Sequence, residues 1–259
     1  MMVLLSYSLI VLLSYSPIEK DTLARYYLEV GEIKKAEEVC LRGSSESSNL
    51  PDTFLLGEIA YFNYKFEQAL ELYDKVSSDS KDGNDAIARM ILIKANDEKE
   101  LQNYVTAELS GRKKKFEEGI KILRKLSGGN KKDKPTPTDS LFLTKTKNLS
   151  SQNNSLSRAV ANRNDTLTKV ASAIAPWAEM LLIDFLRKMG KHEEALKECQ
   201  NFIKRFPQDD KEPQVKLEMA KIYVGLGKRK EALETYKEIL LKHPKSAVAS
   251  IAREKLESL

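Results

Sequence analysis

The sequence predicts an all-α protein built from antiparallel helix hairpins that stack into a solenoid. Apolar residues recur at helical spacing through most of the chain, and two segments near the C-terminus repeat each other with a shift of 37 residues. This shift places Gly190 on Gly227 and Pro207 on Pro244. With 259 residues, of which 41% are hydrophobic, the chain can bury a sizeable core.

Each C-terminal repeat has the pattern of one helical hairpin. Apolar residues form a first stripe, Gly190 can take the positive φ that ends the first helix, and a second apolar stripe follows. Ala195 and Ala232 are small at points where two helices must approach closely. Pro207 ends the second helix because proline has no amide donor. One hairpin cannot cover its own apolar face, so neighbouring hairpins must stack.

The same order of residue types occurs near the N-terminus. Residues 23–40 and 56–76 each show small, aromatic and apolar residues in the same order, and Ala36 and Ala69 are 33 residues apart. This pattern resembles the tetratricopeptide repeat family, which has about 34 residues per helix pair. The resemblance implies a repeat solenoid with a non-enzymatic role in binding a peptide or protein.

Two further segments extend the repeats. Residues 113–126 have the pattern of a second helix with Phe116 and Leu123 in the core, but the helix expected before it, within 86–109, lacks the usual glycine turn. This fifth unit is therefore degenerate. After Pro244 apolar residues continue at helical spacing, which predicts an amphipathic capping helix over the last repeat.

Composition divides the chain into four predicted segments. These are a signal-like or anchor segment (1–18), an N-terminal repeat block (19–126), a flexible, polar and basic linker (127–157) and a C-terminal repeat block with its capping helix (158–259). The linker has too few apolar residues to offset the entropy cost of folding. We expect two separately packed blocks on a tether. The alternative is a linker that folds back over one continuous solenoid.

The first 18 residues contain no charged side chain, and residues 3–18 repeat one eight-residue phrase with a single change. Such a run is typical of an export signal that stays as a marginal membrane anchor, because 18 residues barely span a bilayer. The C-terminal repeats also resemble the bacterial envelope members of the family. Both features predict a periplasmic or membrane-tethered protein of the cell envelope, and the alternative is a cytoplasmic adaptor.

Basic residues concentrate in the middle of the chain. Residues 112–169 hold fifteen Lys or Arg against five Asp or Glu, whereas the whole chain has a net charge of +5. Clustered cations can bind anionic lipid or nucleic acid by displacing counterions. No nucleic-acid motif accompanies the stretch, so a solvated linker is the favoured interpretation and nucleic acid is an unfavoured partner.

No pattern in the sequence indicates catalysis, a cofactor or a metal site. The two histidines, His192 and His243, have no cysteine or carboxylate partner at ligand or triad spacing. Phosphate-binding glycine loops and the zinc-protease and serine-hydrolase motifs are missing from the sequence. Cys40 and Cys199 fit small core residues better than a disulfide framework.

The family resemblance implies that the first helix of each repeat lines a peptide-binding groove. Aromatic and Arg side chains suit such a groove because they combine large contact area with directional polar groups. For the aromatic members, ordinary packing between helices is the alternative. The side chains that the resemblance places in the groove are Arg25, Leu28, Glu29, Phe54, Glu58, Tyr61, Phe62, Trp177, Met180, Asp184, Arg187, Lys188, Leu217, Lys221 and Val224.

Overall fold

The computed structural model describes residues 17–44, 52–128 and 173–258, and the regular secondary structure in these ranges is entirely α-helical. The predicted all-α class is confirmed. Most of the signal-like segment and nearly all of the predicted linker lie outside the described residues, so their roles stay predictions. Within the described ranges, we find no helix with the length and apolarity needed to cross a membrane.

Twelve helices occupy the described residues, and contacts between residues divide the chain into unit 1 (Met1–Lys115) and unit 2 (Phe116–Leu259). Unit 1 holds α1 (Pro17–Glu29), α2 (Ile33–Ser44), α3 (Thr53–Phe62), α4 (Phe66–Tyr73), α5 (Gly83–Ala95) and α6 (Glu98–Arg112). Unit 2 holds α7 (Phe116–Leu126), α8 (Ala175–Lys188), α9 (His192–Arg205), α10 (Glu212–Gly225), α11 (Arg229–Lys242) and α12 (Ala249–Ser258).

Unit 1 is built on two helix hairpins. Helices α1 and α2 pack together, as do α3 and α4, and α1 also contacts α3. Gly57 allows the close approach within the second hairpin, because a Cβ atom at this position would lie 2.6 Å from the ring of Tyr73. Helix α5 packs against α4 and α6, and α6 also contacts α3.

Unit 2 is a continuous stack. Each helix from α7 to α12 packs against the next one along the chain, and α8 also contacts α10. Ala195 and Ala232 are fully buried, as expected for small residues between close helices. The predicted helix after Pro244 is α12, whose Val248 and Ala252 pack into a core cluster with residues of α10 and α11. The stacked-hairpin prediction is confirmed.

Helix α7 belongs to unit 2, whereas the sequence placed these residues at the end of the N-terminal block. The rings of Phe116 and Phe185 pack edge to face with centroids 5.3 Å apart. Two ion pairs, Glu117 with Lys191 at 2.8 Å and Arg124 with Glu194 at 3.2 Å, join α7 to the segment that begins α9. The apolar partner of α7 is α8, which lies far along the chain, so local pattern could not assign it.

The same tight turn follows five helices. One residue of each turn has a positive φ, between 59° and 76°, and donates its amide to the carbonyl three residues back, while the next amide donates to the carbonyl five residues back. This is the Schellman arrangement. The five residues with positive φ are Gly31, Tyr64, Lys114, Gly190 and Gly227. The degenerate unit therefore has its turn after α6, and a lysine stands where the sequence pattern required glycine.

We expect Lys114→Gly to raise the free energy of unfolding of unit 1 by about 0.5 to 1 kcal/mol, because glycine takes a positive φ without the steric cost borne by lysine. The matched change Gly190→Ala should lower the stability of unit 2 by about 1 kcal/mol. An added Cβ at Gly190 meets no atom within 4 Å, so this cost is conformational alone. Denaturant titrations measure both changes, and a destabilised Lys114→Gly would contradict the turn assignment.

Candidate functional site

An arginine whose side chain is only 16% exposed joins the helices of unit 1. The guanidinium of Arg89 on α5 donates to both carboxylate oxygens of Glu58 on α3, from Nε at 2.8 Å and from Nη2 at 3.2 Å. It also donates to both oxygens of Glu108 on α6, at 3.0 and 3.1 Å. The Arg89 Cζ atom lies 4.2 Å from the centroid of the Tyr61 ring. Two bidentate pairs and one aromatic face therefore surround this cation.

Two tyrosine hydroxyls complete the network. Tyr73 donates to Glu58 Oε1 at 2.7 Å, and Tyr61 donates to Glu108 Oε2 at 2.9 Å. Burial disfavours the ionised form of Glu58, but the Arg89 guanidinium outweighs it and lowers the pKa of this carboxyl. Burial, followed by the adjacent carboxylates, raises the pKa of both tyrosines well above the ordinary value. The carboxylates therefore remain charged acceptors and the tyrosines remain donors.

A second arginine extends the network to α1. Arg112, at the end of α6, donates from Nη1 to the carbonyl oxygen of Leu28 at 2.8 Å. Its Nη2 lies 3.9 Å from Glu58, and its Cζ lies 4.3 Å from the centroid of the Phe62 ring. This carbonyl also accepts from the amide of Gly31 in the turn after α1, so Arg112 supplies its second donor.

Arg25 forms a separate ion-pair cluster. Its guanidinium contacts the carboxylate of Asp52, which caps α3, and that of Asp82, which precedes α5, the latter at 2.8 Å. Asp52 also accepts a hydrogen bond from the amide of Phe54 at 3.0 Å. Arg25 therefore joins α1 to the N-terminal ends of α3 and α5.

Most of the predicted groove residues of unit 1 are not accessible. Leu28, Phe54, Glu58, Tyr61 and Phe62 are buried, Arg25 is half-buried in its ion pairs, and Glu29 is exposed. Arg89 and Arg112, from α5 and α6, cover the aromatic rings at the end of α3. The ring of Phe54 packs instead against Tyr73 of α4. Sequence reasoning did not identify the roles of Arg89, Glu108 and Arg112, because α5 and α6 lack the repeat pattern.

Unit 2 places its predicted residues differently. Arg187 on α8 lies 2.9 Å from Asp184 and 2.7 Å from Glu218 of α10, so it bridges the two helices. Lys188 contacts Asp184 at 2.6 Å, and Lys221 contacts Glu218 at 2.6 Å. The side chains of both lysines are at least 40% exposed, so solvent reaches this row of charges.

Apolar residues flank these charges. Lys211 Nζ lies 4.0 Å from the centroid of the Trp177 ring, and Trp177 and Met180 are both half-buried. Val224 is 41% exposed, whereas Leu217 is buried in the core. We use the name "α8–α10 surface" for the accessible members of this set, which are Trp177, Met180, Asp184, Arg187, Lys188, Lys221 and Val224.

Glu179 of α8 is a buried acid in unit 2, with 1% of its surface exposed. Its Oε2 accepts from Arg205 Nη1 at 2.7 Å, and its Oε1 has no hydrogen-bond partner among the residues that the structure describes. Arg205 Nη2 also donates to the Ser127 carbonyl oxygen at 2.5 Å, which joins the end of α7 to α8 and α9. Burial, opposed by Arg205 and supported by the charge of Glu198, raises the pKa of Glu179 to about 7.

The structure shows no groups of three or more His, Cys, Asp or Glu side chains arranged for a metal ion in the ranges it describes. Cys40 and Cys199 are buried free thiols. Burial raises the pKa of the Cys40 thiol to about 12 and also raises that of Cys199, so both stay protonated near neutral pH. Protonated, buried thiols are poor nucleophiles and poor metal ligands.

Arg89→Ala should lower the free energy of unfolding of unit 1 by about 3 to 5 kcal/mol, because it leaves two carboxylates buried without their cation. Lys35→Ala is the control, since its pair with Glu32 is exposed and should contribute under about 0.5 kcal/mol. Circular dichroism follows unfolding, and the fluorescence of the single tryptophan, Trp177, reports unit 2 separately. An equal decrease in the free energy of unfolding in the two variants would contradict the Arg89 network.

The stability of unit 2 should depend on Glu179 between about pH 4.5 and 7. Because burial raises the pKa of this acid, the folded form holds a proton that the unfolded form releases, so stability falls by about 2 to 3 kcal/mol as pH rises through this range. Glu179→Gln should remove this loss and be more stable than the parent at pH 8. Denaturant titrations followed by Trp177 fluorescence measure the free energy of unfolding at each pH. The control variant Glu193→Gln, at an exposed position, should keep the pH dependence of the parent chain.

A family model matches the C-terminal repeats of unit 2. Residues 186–255, from the end of α8 into α12, match a family model described as Tetratricopeptide repeat. No curated protein and no solved structure matches the chain. The matched region contains the Gly190 and Gly227 turns and the buried Ala195 and Ala232 contacts described above. Residues 186–255 therefore match tetratricopeptide repeats, as the sequence pattern predicts for this part of the chain.

Proposed function

We propose that this protein is a non-enzymatic adaptor that holds a peptide segment of a partner protein on the α8–α10 surface of unit 2. Tetratricopeptide repeats generally bind proteins rather than catalyse reactions, which supports the class of function. The observation that carries the choice of surface is the difference in burial between the units. The predicted groove residues are mostly accessible on α8 and α10, and mostly buried on α1 and α3.

The chemistry of the α8–α10 surface suits an extended peptide with both polar and apolar side chains. Lys188 and Lys221 offer ammonium donors, while Asp184 and Glu218 offer carboxylate acceptors. Three cations, with Arg187 the third, share these two carboxylates, so the row has a net positive charge and a peptide must exchange these pairs for its own contacts. Exposed pairs of this kind are worth little in solution, so the exchange costs little.

Apolar contacts would supply most of the affinity. Trp177 is the sole tryptophan of the chain and lies in the first turn of α8, half-buried beneath Lys211. Tryptophan is among the residue types that most often dominate binding affinity at protein interfaces. Val224, on α10, adds exposed apolar area.

The proposal includes a place in the cell envelope. It rests on the apolar, uncharged residues 1–18, which the structure does not describe beyond Pro17 and Ile18. Fractionation of native cells addresses it directly, and a chain found wholly in the soluble cytoplasm would leave the adaptor function standing and remove the envelope location.

The double variant Lys188→Ala and Lys221→Ala should weaken partner binding about tenfold or more, because it removes two accessible donors from the α8–α10 surface. The matched control is Lys197→Ala with Lys237→Ala, which removes two exposed lysines from α9 and α11. A partner captured by crosslinking to the parent chain is titrated against both, with Trp177 fluorescence as the signal. Equal affinity of the two double variants would overturn the proposed surface.

A further inference from the structure

The surroundings of Arg89 have the chemistry of an arginine receptor. Glu58 and Glu108 each accept hydrogen bonds through both carboxylate oxygens, and four N–H groups of the guanidinium are engaged. The ring of Tyr61 covers one face. Carboxylates in bidentate geometry together with an aromatic face distinguish a guanidinium from an ammonium ion, which has neither the planar fork nor the flat surface.

The groups of this receptor come from helices other than the one that fills it. Glu58 and Tyr61 belong to α3, Glu108 belongs to α6, and α3 contacts α6 directly. The hydroxyls of Tyr73 and Tyr61 hold the two carboxylates in place through hydrogen bonds of 2.7 and 2.9 Å. The positioning of the acceptors therefore depends on α3, α4 and α6, and the cation is supplied separately by α5.

Helix α5 is held by three buried apolar side chains, those of Ala86, Leu92 and Ile93, and also by charge. Ile87, Met90 and Ile91 are only half-buried, so several of its apolar side chains remain in partial contact with solvent. Arg89 contributes the four hydrogen bonds to Glu58 and Glu108, and Asp82, just before α5, pairs with Arg25 at 2.8 Å. Weakening the Asp82 pair would loosen α5 without changing a group of the receptor.

We propose that Glu58, Glu108 and Tyr61 form an arginine-recognition site that Arg89 occupies in cis, so that α5 competes with an arginine side chain of a partner peptide. Two of these residues, Glu58 and Tyr61, are among those that the sequence placed in the peptide groove. A tethered competitor acts at an effective concentration of about millimolar or more, so a partner arginine binds the parent chain weakly and binds better when α5 is loosened. This site is independent of the α8–α10 surface.

The experiment uses the full chain and two small probes. N-acetyl-arginine amide carries the guanidinium, and N-acetyl-citrulline amide has nearly the same shape without the charge. In Arg89→Ala the site is vacated, and we expect the arginine probe at millimolar concentration to raise the melting temperature while the citrulline probe does not. The parent chain should respond to neither probe. Adding Glu108→Gln to Arg89→Ala should abolish the response.

A second variant keeps the test decisive where Arg89→Ala fails to fold. Asp82→Asn retains Arg89 and every residue of the site, and weakens only the attachment of α5 to Arg25. We expect it to bind an arginine-containing peptide at least threefold more tightly than the parent chain does, by calorimetry. Equal effects of the arginine and citrulline probes in Arg89→Ala, or equal affinity of Asp82→Asn and the parent, would show a structural ion pair only.

Discussion

Burial of the Arg89 guanidinium is the constraint on which unit 1 depends. An arginine cannot lose its charge inside a protein, so its burial requires enough fixed acceptors to replace water. Glu58 and Glu108 supply them from two helices, and Tyr73 brings in a third. Arg112 then joins the end of α6 to the last turn of α1. The positions of α1, α3, α4, α5 and α6 within this unit are therefore fixed by directional charge pairs as well as by apolar burial.

Unit 2 is also built from stacked helices, but its charged side chains are distributed differently. Small residues at Ala195 and Ala232 let successive helices approach, and most charged side chains of α8 and α10 stay at the solvent-facing side. Glu179 and Lys216 are the buried exceptions among the charged residues described in this unit, and each pairs with a cation or anion of a neighbouring helix. Accessible charges and a half-buried tryptophan make this unit the better candidate for holding a partner.

Sequence reasoning succeeded where structure is set by local chemistry. Glycine at positions 190 and 227 predicts the positive φ of a hairpin turn, and both residues have it. It failed for the turn after α6, because a lysine at position 114 does not predict a positive φ. The structure shows this φ and the two hydrogen bonds of the turn. Local pattern also could not find the partner of α7, since the covering residue Phe185 is distant in sequence.

The groove prediction shows the same division. Glu58 of α3 and Asp184 of α8 were both assigned to a ligand-facing surface, yet the first is buried and the second is partly accessible. The difference comes from the neighbours that the fold supplies, because α5 brings Arg89 over α3. A long-range ion pair of this kind leaves no periodic signal, and the sequence therefore indicated the helices but not the burial of their charges.

The most direct test of the Arg89 network is the hydrogen exchange rate of the arginine Nε–H groups, measured by nuclear magnetic resonance in the intact chain. The Arg89 Nε–H donates to Glu58 at 2.8 Å inside unit 1, whereas Arg253 on α12 is exposed. Exchange of a buried, hydrogen-bonded group requires an opening of the structure, so we predict that Arg89 exchanges at least about a hundredfold more slowly than Arg253. Exchange of the Arg89 Nε–H at the rate of the Arg253 Nε–H would contradict the buried network of hydrogen bonds around Arg89.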